Sequence, residues 1–341
     1  MRVLVTGGTG RIGKATVIRL LQNGWEVRAL DLAENVEIEG AEYIQTNILD
    51  YDALLKQVQG CDTIIHLAAI PSPYTAPGHD VFQINVAGTF NVYEAAAKVG
   101  INRIAQASSI NALGAFYHLD EIYPKYFPID EEHPRLTIDP YSFSKQVVED
   151  IGDYYWRREG ISSVAMRFPG VYGAGYAQSE GYIQKRDKVH GLLDELVSLP
   201  EAERKARIAE SHNRVMDYRA KRPFEFHPNR EKGMLDGVFD DLLFGTYIAD
   251  RFNYWAFVDE RDAAQSLEKG VTADYEGSHP LFINDDYNYL SYDARTLVQL
   301  FFPDVTDFKR DLPGTTALVS IEKARSLIGF EPEYSIGNSL S

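Results

Sequence analysis

The first 170 or so residues alternate between short apolar runs and longer stretches in which apolar residues recur at helical spacing. The runs predict buried parallel strands, and the longer stretches predict amphipathic helices. Gly24, Gly60, Gly100 and Gly160 lie where these helices should end. This alternation predicts an α/β fold, a Rossmann-type doubly wound parallel sheet with right-handed crossovers. The predicted strands are Arg2–Thr6, Trp25–Leu30, Tyr43–Thr46, Thr63–Leu67, Arg103–Ala107 and Ser162–Arg167, and the predicted helices are Arg11–Gln22, Tyr51–Val58, Asp80–Val99 and Tyr141–Arg158.

The pattern changes after Gly175, where residues 176–250 are charged and aromatic with one strong helical stretch from Ser198 to Lys221. Further on, the sequence predicts a strand at Tyr254–Asp259, a helix at Arg261–Lys269 and a strand at Leu281–Asn284. We therefore predict a Rossmann domain over residues 1–175, rejoined by about 251–265. Residues 176–250 would form a helical insertion that acts as a lid, and residues 266–341 would complete a smaller C-terminal substrate-binding lobe. A solvated or oligomer-forming helical excursion is the alternative for residues 176–250.

Composition narrows the classes of partner and the compartment. The net charge of −16 disfavours nucleic acid and anionic membranes as partners. The single cysteine, Cys61, rules out an internal disulfide framework, and no cluster with metal-ligand spacing is seen. Without a charged leader or a long apolar run, we expect a cytoplasmic protein that neither binds nor crosses a membrane.

The first chemical signal is the glycine pattern Gly7-x-x-Gly10-x-x-Gly13, which follows the first predicted strand and opens the first predicted helix. Such a turn lets the backbone approach a pyrophosphate, and the helix N–H groups hold its negative charge. Asp31 ends the second strand, close to the ~20-residue offset at which a carboxylate binds the adenosine ribose. Because a carboxylate repels a 2′-phosphate, NAD is favoured over NADP, although Arg11 and Arg28 lie close enough in sequence to leave NADP open.

The second signal is Tyr141-Ser-Phe-Ser-Lys145, in which Tyr141 and Lys145 share one helical face. A cation beside a phenol favours the phenolate, so we expect a lowered tyrosine pKa and a base for a substrate hydroxyl. The lysine could also donate to the nicotinamide ribose. Ser109 lies just past the fifth strand, at the sheet edge where ligands bind, and could stabilise the reacting oxygen.

These segments resemble the extended short-chain dehydrogenases/reductases, also called the NAD-dependent epimerase/dehydratase family. The matching motifs occur in family order: Thr6-Gly-Gly-Thr-Gly-Arg-Ile-Gly13, His66-Leu-Ala-Ala69, Asn85-Val-Ala-Gly-Thr-Phe-Asn91, Ser108-Ser109, Tyr141-Ser-Phe-Ser-Lys145 and Arg167-Phe-Pro-Gly-Val-Tyr-Gly173. The resemblance implies an NAD-dependent enzyme, a homodimer, that transfers hydride at a sugar or sugar-nucleotide hydroxyl.

The resemblance also implies roles for individual residues. The catalytic set is Ser109, Tyr141 and Lys145. The cofactor would contact Gly7, Gly10, Arg11, Ile12, Gly13, Asp31, Asn47, Ile48, Leu67, Ala68, Ala69, Asn85, Tyr141, Lys145, Pro169 and Val171. The small carbohydrate substrate would contact Ser109, Asn111 and Tyr141. Arg219 and Arg222, from the predicted lid, would bind an anionic group of the substrate. We interpret His66 as structural.

Two departures from the family pattern bear on the substrate. Ile110-Asn111 follows Ser109 where dehydratases of the family carry an acid pair, which argues against sugar dehydration. Phe168-Pro-Gly occupies a segment in which many sugar-nucleotide enzymes carry an asparagine. Three functions stay open: an epimerase-type enzyme that retains NAD, a dehydrogenase of a free sugar or sugar acid similar to uronate dehydrogenases, and a non-catalytic NAD-binding scaffold.

Overall fold

A seven-stranded parallel sheet forms the centre of the protein, in a computed structural model that describes residues 1–34, 36–228, 240–247 and 251–339. The strands are β1 (Arg2–Thr6), β2 (Glu26–Asp31), β3 (Glu42–Gln45), β4 (Thr63–His66), β5 (Arg103–Ser109), β6 (Ser162–Phe168), β7 (Gly170–Tyr172), β8 (Phe257–Asp259) and β9 (Ser278–Phe282). The main sheet has the order β3-β2-β1-β4-β5-β6-β9, and β7 pairs with β8 in a separate two-stranded sheet. The predicted Rossmann-type doubly wound fold is therefore confirmed.

Helices cover both faces of the main sheet and build the second lobe. Their bounds are α1 (Arg11–Gln22), α2 (Tyr51–Val58), α3 (Gly78–Phe82), α4 (Gly88–Val99), α5 (Pro140–Glu159), α6 (Glu180–Ser198), α7 (Glu201–Ala220), α8 (Leu242–Gly245), α9 (Glu260–Thr272), α10 (Ala294–Phe301) and α11 (Glu322–Ile328). One π-helical turn, Gln83–Ala87, joins α3 to α4. Gly100 and Gly160 end α4 and α5 in the left-handed conformation, as the sequence predicted. None of the helices in the described ranges is long and apolar enough to cross a membrane.

The central strand β1 shows how one sequence segment supplies two cores. Val3 and Val5 pack in the same cluster as Val17 of α1, whereas Leu4 packs on the opposite face with Leu54 of α2. Alternate residues of a strand point to opposite faces, and helices cover both faces here. The continuous apolar run therefore places the carboxyl end of β1 in a rigid, doubly covered sheet.

Residues 176–228 contain two long helices, α6 and α7, where the sequence predicted one. The first half of α6 carries Tyr182 as its only buried residue among those described, so its periodicity is weak. The predicted strand Tyr254–Asp259 also begins too early, because Tyr254 and Trp255 have positive φ angles of 55° and 51°. The parts of the predicted lid at 229–239 and 248–250 lie outside the described residues.

The predicted boundary at residue 265 is wrong. Helix α9 runs on to Thr272, and its Leu267 and Val271 pack in the same core as Val5 of β1. Strand β9 then pairs in parallel with β6 and completes the main sheet. The Rossmann layer thus includes residues that we had assigned to the C-terminal lobe. That lobe has its own core, to which Leu193, Val215, Phe252, Trp255 and Phe301 belong.

Candidate active site

The turn between β1 and α1 is packed too closely for any residue but glycine at two positions. A Cβ atom on Gly7, which has a φ of 72°, would lie 2.7 Å from the Ala68 nitrogen. A Cβ atom on Gly13 would lie 2.0 Å from the Gly7 carbonyl oxygen. Gly10 is the N-cap of α1. The turn therefore leaves backbone N–H groups and a helix N-terminus open to an anionic ligand.

A cavity of about 360 Å³ extends from this turn over the ends of β2 and β4. Asp31 lies in its wall, and its Oδ2 atom accepts hydrogen bonds from the Thr9 amide (3.0 Å) and hydroxyl (2.6 Å). The two arginines that left NADP open are engaged elsewhere, since Arg28 binds Glu42 at 2.8 Å and Arg11 donates to the Val171 carbonyl at 3.0 Å. The lining includes these predicted cofactor residues: Gly7, Gly10, Asp31, Asn47, Ile48, Leu67, Ala68 and Ala69.

A second cavity, of about 540 Å³, continues from Leu67 and Ala69 toward the start of α5; we call it the catalytic cavity. It contains the predicted catalytic set, Ser109 from the end of β5 with Tyr141 and Lys145 from α5. The predicted residues Arg11, Ile12, Asn111, Pro169 and Val171 also line it. A dinucleotide laid across the two cavities would reach from Asp31 to Tyr141, so the described residues fit NAD.

Burial dominates the electrostatics of this set. It raises the pKa of Tyr141 to about 12, and the nearby Ser109 hydroxyl opposes that rise. It also lowers the pKa of Lys145 to about 8, against the opposing charge of Glu149. The Lys145 ammonium donates to the Ala107 carbonyl at 2.9 Å and lies 5.8 Å from the centroid of the Tyr141 ring. The expectation of a lowered tyrosine pKa is therefore wrong for this structure, because burial of the Tyr141 phenol disfavours its charged form.

Two predicted cofactor residues support the site without lining either cavity. Asn85 is buried and fastens the segment after β4 to α5: it accepts from the Ile70 amide (2.7 Å) and donates to the Ser144 hydroxyl (2.9 Å). Gly13 lies beneath the turn, against Gly7. The resemblance also implies that Asn85 buttresses the active site, and these contacts agree with that role; contact of either residue with the cofactor stays a prediction.

His66 is structural, as we interpreted it. Its ring nitrogens pair with Thr6 Oγ1 at 2.7 Å and with Thr89 Oγ1 at 2.9 Å, so both ring positions are satisfied. Burial lowers the pKa of His66 to about 3, with a further contribution from the Lys145 charge. A neutral, fully bonded imidazole at the end of β4 orders the sheet edge beneath the cofactor cavity.

With this geometry in view, comparison with known proteins decides the family. The sequence profile described as the NAD dependent epimerase/dehydratase family matches residues 3–198. The chain belongs to this family. Membership confirms the predicted NAD-dependent enzyme and its cofactor NAD.

Curated relatives include both dehydrogenases and epimerases. The chain is 30% identical to an L-arabinose 1-dehydrogenase (NAD(P)(+)) of Haloferax volcanii, over 57% of this chain and 72% of that protein. It is 35% identical to a putative UDP-glucose 4-epimerase of Methanocaldococcus jannaschii, over 50% of this chain. It is 34% identical to a uronate dehydrogenase of Pseudomonas putida, over 49% of this chain. The last two alignments span 56% and 59% of the relative's length.

A solved structure shows the same fold over the whole length of the chain. It is a short-chain dehydrogenase/reductase superfamily protein from Agrobacterium tumefaciens with bound NAD, at a TM-score of 0.62 and 23% identity. The match covers 100% of this chain and 95% of that one. The second lobe therefore belongs to the shared fold, although the curated relatives align mainly with the first.

The predicted substrate contacts Arg219 and Arg222 do not lie in the catalytic cavity of this family member. The Arg219 side chain is buried: its guanidinium donates to the carbonyls of Phe116 (3.0 Å) and His118 and lies 3.7 Å from the Phe252 ring centroid. Arg222 is exposed and pairs with Glu225 at 2.8 Å. Arg219 is thus held within the fold, because its two terminal nitrogens bind main-chain carbonyls.

Sequence reasoning missed two residues of the catalytic cavity. Lys185 reaches it from α6, with its ammonium 5.5 Å from the centroid of the Tyr289 ring. Tyr117 lies in the segment after β5, and its ring meets that of Tyr141 edge-on with centroids 6.1 Å apart. Neither residue carries a motif, and α6 itself was not predicted. Only the fold brings them into the catalytic cavity.

Proposed function

We propose that this protein catalyses reversible hydride transfer between NAD and a hydroxyl-bearing carbon of a carbohydrate. The observation that carries the proposal is the meeting of Ser109, Tyr141 and Lys145 in one cavity that continues into the cofactor cavity. The named functions of the relatives, sugar dehydrogenation and epimerisation, support a carbohydrate substrate.

The residues divide the proton chemistry between them. The Ser109 hydroxyl donates to the reacting oxygen and holds it near the phenol. Tyr141, as the phenolate, takes the hydroxyl proton and becomes the phenol as the carbonyl forms, and the positive charge of Lys145 favours the phenolate that begins this step. With a pKa of about 8, Lys145 can release or regain a proton near neutral pH. NAD, when bound, supplies the hydride acceptor.

Whether the cofactor leaves after hydride transfer separates a dehydrogenase from an epimerase. One observation favours a dehydrogenase of a free sugar acid as a second candidate: Lys185 brings a cation into the catalytic cavity, where it could pair with a carboxylate. The test is to incubate the purified protein with NAD and a panel of aldoses, uronic acids and sugar nucleotides. A rise in absorbance at 340 nm that corresponds to one NADH for each sugar oxidised indicates a dehydrogenase. A new epimer without NADH release indicates an epimerase. NAD binding with no reaction across the panel would favour the scaffold.

Asp31 provides a test of cofactor choice. We expect NADH to bind at least about tenfold more tightly than NADPH, a difference of about 1.4 kcal/mol, because the carboxylate repels a 2′-phosphate. Asp31→Asn should narrow this ratio in a fluorescence titration. Thr9→Val serves as the control, since it removes the hydroxyl bonded to Asp31 and keeps the charge. Tighter binding of NADPH by the wild-type protein would contradict this role of Asp31.

We further propose a homodimer formed through an aromatic patch on α3, α4 and α5. Phe82 stacks on Phe143 with centroids 5.7 Å apart, and Phe90 stacks on Tyr154 at 6.3 Å. All four side chains are exposed, and exposed aromatic surface of this kind commonly marks an interface. Light scattering should give twice the 38.5 kDa chain mass. The Phe90→Glu, Phe143→Glu double variant should give the single mass, and a monomeric wild-type protein would refute the dimer.

A further inference from the structure

A third cavity lies beside the catalytic cavity, and Tyr117 lines both. Its volume is about 350 Å³, within the range of small-molecule sites. Its walls come from the segments after β4 and β5, the start of α5 and the end of α7. We call it the outer cavity, and its lining includes Pro77, Tyr117, Leu119, Asp139, Arg222 and Phe224.

Tyr117 is held as the partition between the two cavities. The Arg219 guanidinium donates to the carbonyls of Phe116 and His118, the residues on either side of Tyr117. The Tyr117 ring meets Tyr141 at 6.1 Å and Phe224 at 5.5 Å, both edge-on. A ligand with two linked rings could therefore place one ring at Tyr141 and the other against Phe224, on the two sides of Tyr117.

Asp139 forms a rigid part of the outer cavity wall at the start of α5. The residue is 8% exposed, and its Oδ1 atom accepts from the Ser142 amide at 2.8 Å to cap α5. Its Oδ2 atom is buried beside the Ser142 hydroxyl. Asp139 therefore shapes the cavity through its place in the helix cap.

The cations around the outer cavity are already engaged. Arg219 is occupied by two main-chain carbonyls, and Arg222 pairs with Glu225 at 2.8 Å. His118 accepts from the Asp120 amide through Nδ1 at 3.1 Å. Because the described lining contains two carboxylates, and its two arginines already bind carbonyls or a carboxylate, the cavity suits a neutral hydroxylated group better than a phosphate.

We propose that the outer cavity is a second sugar subsite, which takes a neutral, hydroxyl-rich ring joined to the ring that reacts at Tyr141. The rings of Tyr117 and Phe224 offer apolar surfaces for a pyranose, and the Arg222–Glu225 pair in the wall offers a donor and an acceptor to its hydroxyls. The inference rests on the proposed carbohydrate chemistry and narrows the substrate to a disaccharide or glycoside.

The test compares matched pairs of reducing sugars, glucose with cellobiose and galactose with lactose, in the presence of NAD. For at least one pair, kcat/KM for the disaccharide should exceed that of the monosaccharide about tenfold. Phe224→Ala, which removes a wall, and Leu119→Trp, which fills the cavity, should each abolish that preference. His227→Ala, an exposed neighbour outside the lining, should leave it unchanged.

The subsite would be overturned by a wild-type protein that prefers the monosaccharide in both pairs. Variants that lower kcat/KM equally for the monosaccharide and the disaccharide of a pair would also overturn it. Saturation-transfer NMR with cellobiose and the NADH-loaded protein separates this failure from that of the proposed function. If no sugar reacts but cellobiose binds and Leu119→Trp abolishes the binding, the subsite stands while the reaction fails. Absent binding, or binding that Leu119→Trp leaves intact, refutes the subsite directly.

Discussion

Replacing Tyr141 with phenylalanine is expected to lower kcat by about 10²–10⁴-fold, the usual contribution of a positioned acid or base, while NADH affinity changes little. The substitution removes only the phenolic oxygen. The ring is buried and keeps its edge-on contact with Tyr117, so the wall of the catalytic cavity survives. The loss should fall on kcat, because the missing group acts on the hydroxyl proton during the reaction. Steady-state kinetics with the best sugar of the panel, together with an NADH titration, would measure both effects.

The matched control is Tyr117→Phe, which removes a second phenolic oxygen from the same cavity. Since Tyr117 is part of the cavity wall and we assign no proton transfer to it, its hydroxyl should matter far less to kcat. A Tyr141→Phe enzyme that keeps kcat within about a factor of ten, or a Tyr117→Phe enzyme that loses as much, would show that the base is assigned to the wrong residue.

Arg167→Met is expected to lower the free energy of unfolding by about 3–5 kcal/mol, the usual cost of removing one member of a buried ion pair. Arg167 binds the Glu149 carboxylate through two hydrogen bonds of 2.9 and 2.8 Å, with the two side chains 2% and 4% exposed. Glu149 lies one helical turn from Lys145 on α5, and β6 carries Arg167. The pair therefore fixes the catalytic helix to the sheet. Urea denaturation of the two proteins would measure the change.

Two further variants distinguish the stability effect of the buried Arg167–Glu149 pair from that of the neighbouring charges. Arg135 also contacts Glu149, at 3.3 Å, but it is 30% exposed, so Arg135→Gln should cost less than about 1 kcal/mol. Arg167→Met combined with Glu149→Leu removes both charges and should recover part of the loss. If Arg167→Met lowers the free energy of unfolding by less than about 1 kcal/mol, the buried pair does not stabilise the contact between α5 and β6.

Local patterns were sufficient for the parts of the site that lie at strand ends. The glycine turn is set by the immediate β1–α1 connection, and Tyr141 and Lys145 meet because they are four residues apart on α5. Ser109 ends β5 beside them. In each case the relevant geometry spans one or two neighbouring elements, which sequence spacing encodes directly.

Properties that depend on distant packing were not predictable in the same way. The pKa of Tyr141 is raised because several segments bury the residue. Arg219 donates its hydrogen bonds to main-chain carbonyls about a hundred residues away in sequence. From the sequence alone, an arginine on a charged helix looks free to bind a ligand, because its partners within the fold are distant in sequence. Lys185 shows the converse, because the helix that brings it to the catalytic cavity has too weak a periodicity to predict.

Direct transfer of hydrogen to the cofactor is the central claim, and isotope labelling tests it most directly. The protein is incubated with NAD and a reactive sugar deuterated at the carbon to be oxidised, then quenched in alkali, in which the reduced dinucleotide survives. Mass spectrometry of the reduced dinucleotide, whether released or retained, should find the deuterium there for the wild-type protein, with far less formed by Tyr141→Phe in the same time. Product formation with the deuterium lost to water, or with an unlabelled reduced dinucleotide, would contradict hydride transfer.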